Sequence, residues 1–131
     1  MNKRFLRTAA VFGALAVIAG AFLAHQLKQK MTPAAVDVYE TAVRYQFYHV
    51  LALLACGILA EKFEGIQIKR AGIFFTAGIL LFSGSLYSIS GLMSNDIPVP
   101  LILGILTPVG GLSFILGWVF LTVAISTERR S

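Results

Sequence analysis

Four long runs of apolar residues, separated by short polar connections, dominate the hydropathy pattern of the chain. They predict helices over residues 5–26, 33–61, 71–94 and 99–126. Each run reaches the roughly 20 residues that a helix needs to cross the hydrocarbon core of a bilayer. The pattern therefore predicts an all-α fold, an integral membrane bundle of four transmembrane helices that forms a single domain over residues 1–131.

Local signals refine the second and fourth helices. Thr32 and Pro33 read as an N-cap followed by proline in the first turn, so the second helix begins there. In the fourth helix, Pro108 removes a backbone donor, while Gly110 and Gly111 lack the side chains that would stiffen the helix. These residues predict a helix break, seen as a kink or a partial unwinding near the middle of the membrane.

Small residues recur at helical spacing in two of the runs, which predicts close approach of neighbouring helices. In the first helix one series is Ala9 and Gly13, and another is Ala16, Gly20 and Ala24; in the third helix the series is Ala77, Gly84 and Gly91.

Composition agrees with a membrane protein. Of the 131 residues, 57% are hydrophobic and only 13% are charged, and the mean hydropathy is +0.81, values outside the range of ordinary soluble domains. The net charge of +5 does not indicate nucleic acid as a partner, because the basic residues form short clusters between apolar runs. The lone Cys56 excludes an intramolecular disulfide.

The basic residues predict the orientation of the chain. With four spans, both termini and the connection over residues 61–70 lie on one side, which holds eight basic residues, whereas Lys28 and Lys30 lie on the other. Under the positive-inside rule this asymmetry predicts that both termini are cytoplasmic. The eight residues are Lys3, Arg4, Arg7, Lys62, Lys69, Arg70, Arg129 and Arg130.

Residues 39–49 are the most polar stretch next to an apolar run. Glu40 and Arg44 are spaced i, i+4, which predicts a local ion pair, while Gln46 and His49 lie on roughly the opposite side of the helix. A helix that is polar on two sides cannot show both of them to lipid. We expect this half of the second helix to contact other helices, water or headgroups.

Several polar residues from three other segments of the chain join this stretch as candidates for one polar network or solute path. We favour a structural network that ties the helices together over an ion or proton relay, a metal site, or an intramembrane enzyme. A metal site would use His25, Glu40 and His49, but the ligand spacing is absent; an enzyme would use Ser83 or Ser85, but no nucleophile motif is present. We therefore predict no catalytic residue, metal or cofactor. The candidate residues are His25, Glu40, Arg44, Tyr45, Gln46, His49, Ser83, Ser85 and Thr107.

Motifs at residues 20–27, 39–49, 82–87, 107–111 and 117–118 run from end to end of the chain. In their order and spacing they resemble the small four-helix bacterial inner-membrane proteins of the YgdD/YwdK type, a family of unknown function. The resemblance implies a multi-pass protein of the bacterial inner membrane. It carries over no activity and no site residue.

These observations predict a non-enzymatic structural or accessory membrane protein that associates with itself or with other membrane proteins. The alternative is an oligomeric transporter or channel for a small ion or solute, with Arg44, His49 and the Thr107–Pro108 break along its path. The bilayer is the expected surrounding in both cases.

Overall fold

The computed structural model describes residues 1–127, so Arg129 and Arg130, which contributed to the predicted orientation, lie outside the described part. The prediction of an all-helical membrane protein is confirmed, because the structure contains four helices long and apolar enough to cross a bilayer. We refer to them in chain order as spans one to four: Lys3–Leu27, Pro33–Leu59, Ile66–Ser94 and Leu101–Ser126.

The helix boundaries follow local chemistry. Thr32 caps span two, its hydroxyl oxygen accepting from the backbone N–H of Ala35 at 3.3 Å, and Pro33 occupies the first turn. Span three begins at Ile66 rather than at residue 71. It starts earlier because Gly65, at φ 134°, turns the backbone in a way that favours glycine, and because the first turn buries Ile68.

Two π turns interrupt the spans. Span one is α-helical over Lys3–Phe22 and ends in a π turn at Leu23–Leu27, whose i→i+5 bond joins the Lys28 N–H to the Leu23 carbonyl at 2.9 Å. The π turn of span three, Ile79–Ser83, separates a first half, Ile66–Gly78, from a second half, Gly84–Ser94.

Span four, where the sequence predicted irregular backbone, is one continuous α-helix with Pro108 inside it. The predicted unwinding is therefore wrong, because the helix absorbs one missing N–H donor without losing its turns. A kink at Pro108 stays a prediction.

The spans pack in chain order. Span two contacts spans one and three, and span three contacts spans two and four. The backbone N–H of Asn2 donates to the Gly57 carbonyl at 2.9 Å, and the N-terminal ammonium lies 3.9 Å from Glu61. We call this end of the bundle the Met1 end. The opposite end, with the connections over residues 28–32 and 95–100, is the Lys28 end.

Four of the five small residues predicted to allow close approach in span one pack inside the bundle, whereas Ala24 is exposed. Ala9 and Ala16 are each 1% exposed, and Gly13 and Gly20 lie against valine side chains of span two. These residues let the two helices approach closely along most of their length.

The glycine series of span three behaves differently. Gly84 and Gly91 face open space, with nothing within 4 Å of where a Cβ would stand. The close contacts of span three are at Gly72 and Gly78 instead, where a Cβ would overlap a phenylalanine ring from another span. The predicted stripe is therefore not used for packing within the chain.

Candidate functional site

Gln46 joins three spans near the middle of the bundle. Its side-chain N–H donates to the Phe12 carbonyl of span one at 2.8 Å, and its side-chain oxygen accepts from the Tyr87 hydroxyl of span three at 2.7 Å. Tyr39, about two turns earlier in span two, donates to the Ala19 carbonyl of span one at 2.8 Å. Gln46 is buried, so these bonds satisfy an amide that lipid could not solvate.

Serines of span three bind the backbone of span two. The hydroxyls of Ser83 and Ser90 donate to the carbonyls of Ala42 and Ala35, each at 2.8 Å. Both serines are buried. Small hydroxyl residues thus hold the second half of span three close to span two.

A second set of hydroxyls connects spans three and four. The Ser85 and Thr107 oxygens lie 2.6 Å apart, and Ser113 donates to the Phe74 carbonyl at 2.8 Å. Within residues 1–127, every buried side-chain nitrogen or oxygen atom has a hydrogen-bond partner. The interior of the bundle is therefore fully paired in the part that the structure describes.

His49 uses both ring nitrogens. The indole N–H of Trp118, which can only donate, lies 3.2 Å from Nε2, so Nε2 accepts and the proton resides on Nδ1, which donates to the Tyr45 carbonyl at 2.8 Å. The ring stacks on Phe114 with centroids 3.5 Å apart. His49 is thus a neutral imidazole with no free lone pair for a metal or for abstracting a proton.

The structure does not bring together the residues of the weighed metal site. His25 is exposed on the π turn of span one, whereas His49 packs against the rings of Phe75 and Phe114 in spans three and four. No three His, Cys, Asp or Glu side chains within residues 1–127 lie in a metal-binding group.

The predicted ion pair between Glu40 and Arg44 is not formed; their charged atoms do not approach within 4.0 Å. Both side chains turn instead to a cavity of about 360 Å³ between spans one and two, which Lys28 also lines. The i, i+4 spacing permits a pair but does not require one, since an exposed pair contributes little free energy.

The glycines that were predicted to break the fourth helix serve its packing instead. Gly110 lies directly on the backbone of Phe82 in the π turn of span three, where a Cβ would overlap it, whereas a Cβ on Gly111 would stand 3.8 Å from the Phe82 ring. Pro108 lines an open groove of about 600 Å³ between spans two and four, together with Tyr45 and His49. The irregular backbone at this level belongs to span three.

A further groove of about 510 Å³ runs between spans one and three, with apolar walls and with Gln46 and Tyr87 in its floor.

The sequence did not predict the partners of Gln46 and His49, because tyrosine, serine and tryptophan in an apolar run carry no distinct signal. The residues that bond between spans and were not predicted as site residues are Tyr39, Tyr87, Ser90, Ser113 and Trp118.

Comparison with known proteins identifies relatives over nearly the full chain. The UPF0382 membrane protein YwdK of Bacillus subtilis is 42% identical over 123 residues, 93% of this chain and 95% of that protein. The UPF0382 inner membrane protein YgdD of Escherichia coli is 34% identical over 132 residues, 99% of this chain and 96% of that protein. A UPF0382 membrane protein of Haemophilus influenzae is 35% identical, covering 92% of each chain.

No solved structure matches the chain. The family described as "Protein of unknown function (DUF423)" matches residues 19–111, a range that includes the polar stretch of span two, the π turn of span three and Pro108. Together with four membrane-spanning helices and the names of the relatives, this match shows a multi-pass membrane protein. The chain therefore belongs to the DUF423 family of membrane proteins.

Proposed function

We propose that this protein is a structural or accessory component of the bacterial inner membrane that acts by associating with itself or with other membrane proteins. The observation that carries the proposal is the paired interior. Every buried polar side-chain atom within residues 1–127 has a hydrogen-bond partner, and those of Gln46, Ser83, Ser90 and Ser113 bond to another span. A site for chemistry or transport keeps polar groups available to a solute. Here they are used to fasten one helix to the next.

We also propose that both termini are cytoplasmic. The Met1 end carries Lys3, Arg4 and Arg7, joined by Lys62 and the basic pair that opens span three, while the Lys28 end carries two lysines. The hydrogen bond between Asn2 and Gly57 supports placing the N-terminus beside the second connection. The imbalance of basic residues then directs this end inward.

A bend at Pro108 is part of the same proposal. Proline lacks the N–H that would bond to the carbonyl of Gly104 one turn earlier, and this gap lets a continuous helix curve. The bend would fit span four around Phe82.

The alternative, an oligomeric channel or transporter, requires Arg44, His49 and Thr107 to share a path. Arg44 lines the cavity between spans one and two, the His49 ring packs against span four, and the Thr107 hydroxyl is bonded to Ser85. His49 shares the groove between spans two and four with Pro108, but Arg44 lies at a separate cavity and the Thr107 hydroxyl is occupied by Ser85. This separation of Arg44 from the other path residues favours the structural role.

The surface that would carry association is the open face of span three at Gly84 and Gly91. All the close glycine contacts within the bundle lie elsewhere, and these two positions leave the helix backbone accessible to another helix. A glycine-lined helical face of this kind suits self-association, because two copies related by a twofold axis present the same glycines to each other. We propose a second copy of the chain as its occupant.

Energy transfer between donor-labelled and acceptor-labelled copies in vesicles tests this proposal. We expect Gly84→Leu and Gly91→Leu each to weaken association about tenfold, the equivalent of about 1.4 kcal/mol, because the side chain separates the backbones. Gly104→Leu is the matched control, since Gly104 of span four also faces open space. Equal association of all three variants, or none in the native chain, would overturn self-association through this face.

A further inference from the structure

The cavity between spans one and two combines charges of both signs with apolar walls. It has a volume of about 360 Å³ and lies toward the Lys28 end of the bundle. Its charged members are two cations and one carboxylate, and its remaining members are small or aliphatic. The lining residues are Gly20, Leu23, Ala24, Lys28, Glu40, Val43 and Arg44.

The three charged groups do not neutralise one another. The ion pair that the structure shows within residues 1–127 joins the N-terminal ammonium to Glu61, at the other end of the bundle. Arg44 and Lys28 are exposed, and Glu40 is half-buried. Separate charges of opposite sign around one cavity can bind a ligand that carries both complementary charges.

The order of these charges along span two matches the order of groups in a phospholipid. Span two has 27 residues and is about 40 Å long, about 10 Å more than the hydrocarbon core. Glu40 and Arg44 lie about 10 and 16 Å from its Pro33 end, near the headgroup boundary. Arg44 is one turn deeper than Glu40, as a phosphate is deeper than the headgroup amine. This order holds whichever way the chain is oriented.

Each charged group has a suitable role. The Arg44 guanidinium matches a phosphate in shape and charge, and Lys28, at the end of the π turn of span one, can extend its flexible stem to the same group. Glu40 can accept hydrogen bonds from a primary ammonium. On span one, Gly20 and Ala24 add little bulk to the cavity wall, and Leu23 together with Val43 of span two supplies apolar surface.

From this arrangement we propose that the cavity between spans one and two binds one phospholipid with a phosphoethanolamine headgroup, with its phosphate at Arg44 and Lys28 and its ammonium at Glu40. Phosphatidylglycerol lacks the ammonium, and the methylated ammonium of phosphatidylcholine has no N–H to donate to a carboxylate. The site thus distinguishes headgroups by charge and by hydrogen bonding. The proposal goes beyond the structural role and does not require self-association.

Native mass spectrometry of the full chain, released from vesicles with equal amounts of the three phospholipids, tests the site. We expect one phosphatidylethanolamine to be retained in preference to the others. Arg44→Gln should lower its retention about tenfold, and Glu40→Gln should abolish the preference over phosphatidylglycerol, because each removes one charge-assisted contact of about 1.4 kcal/mol. Asp37→Asn is the matched control, an exposed acid of the same helix outside the cavity.

The fluorescence of Trp118, the single tryptophan, reports whether each variant keeps its fold. A folded Glu40→Gln chain that retains the native preference would overturn the proposal, as would equal loss of preference in Asp37→Asn. Soluble phosphoethanolamine distinguishes the two sources of the headgroup. If it displaces the lipid at equal concentration, the site belongs to a free solute and the lipid assignment is wrong.

Discussion

Gln46 shows how a single polar side chain acts at membrane depth. Its amide makes one bond to span one and one to span three, and no water is available in a bilayer to replace either partner. Loss of the amide would leave the Tyr87 hydroxyl without its acceptor. Gln46 therefore stabilises the bundle only as long as both of its hydrogen-bond partners are in place, and a polar side chain without them would not.

Gln46→Leu should lower the free energy of unfolding by about 1 kcal/mol, because two hydrogen bonds between membrane helices at about 0.6 kcal/mol each are lost. Reversible unfolding in mixed micelles measures this change. Ser88→Ala is the control, since the Ser88 hydroxyl bonds only within its own helix, to the Gly84 carbonyl. A Gln46→Leu chain as stable as the control would show that the bonds between spans contribute nothing net.

The sequence indicated that Gln46 and His49 need partners but could not identify them. Most acceptors in the network are backbone carbonyls, as at Phe12 and Ala42, and a carbonyl leaves no mark on residue type. The ion pair expected between Glu40 and Arg44 fails for a related reason: sequence spacing shows which side chains can meet, and not where each one turns.

At the scale of the element, the π turn of span three and the glycines of span four form one contact. Gly110 lies against the Phe82 backbone, so the two helices touch without an intervening side chain. A Cβ on the adjacent Gly111 would make only ordinary contact with the Phe82 ring. Two neighbouring glycines therefore differ sharply in what a methyl group would meet.

Gly110→Ala should destabilise the protein by about 1–3 kcal/mol, because the added Cβ forces span four away from Phe82. Gly111→Ala should be neutral or stabilise by up to about 1 kcal/mol, since alanine favours the helix. Thermal unfolding of both variants in detergent compares them directly. Similar stability of the two chains would contradict the contact.

Hydrophobic runs were enough to predict the four spans, because a continuous run of about 20 apolar residues is typical of a transmembrane helix. The π turns were not predictable in this way. A π turn changes which carbonyl an N–H reaches without requiring a special residue, and Ile79–Ser83 reads as ordinary apolar helix. Pro108 and Gly110 suggested a break in span four, whereas the irregular backbone lies opposite them in span three.

At the scale of the whole molecule, one labelling experiment measures both the orientation of the chain and the access of water to its interior. In a Cys56→Ala background, we expect a membrane-impermeant thiol reagent to label Lys30→Cys from outside intact cells and Lys62→Cys only after permeabilisation. His49→Cys and Thr107→Cys should resist labelling from both sides, because His49 is buried and Thr107 lies at the contact with Ser85.

The two lysine positions serve as controls for each other, since both are exposed in polar connections. Labelling of Lys62→Cys from outside would reverse the proposed orientation. Labelling of both His49→Cys and Thr107→Cys would instead make a solute path the better account of the polar residues.

The π turn of span three also affects how the protein responds to bilayer thickness. The first half of span three packs mainly on span four, whereas the second half packs mainly on span two, so the early part of span four has few protein neighbours. Leu101 is 79% exposed there. In a bilayer thinner or thicker than the protein prefers, this lightly held end can tilt at low cost, while the rest of the bundle stays fastened.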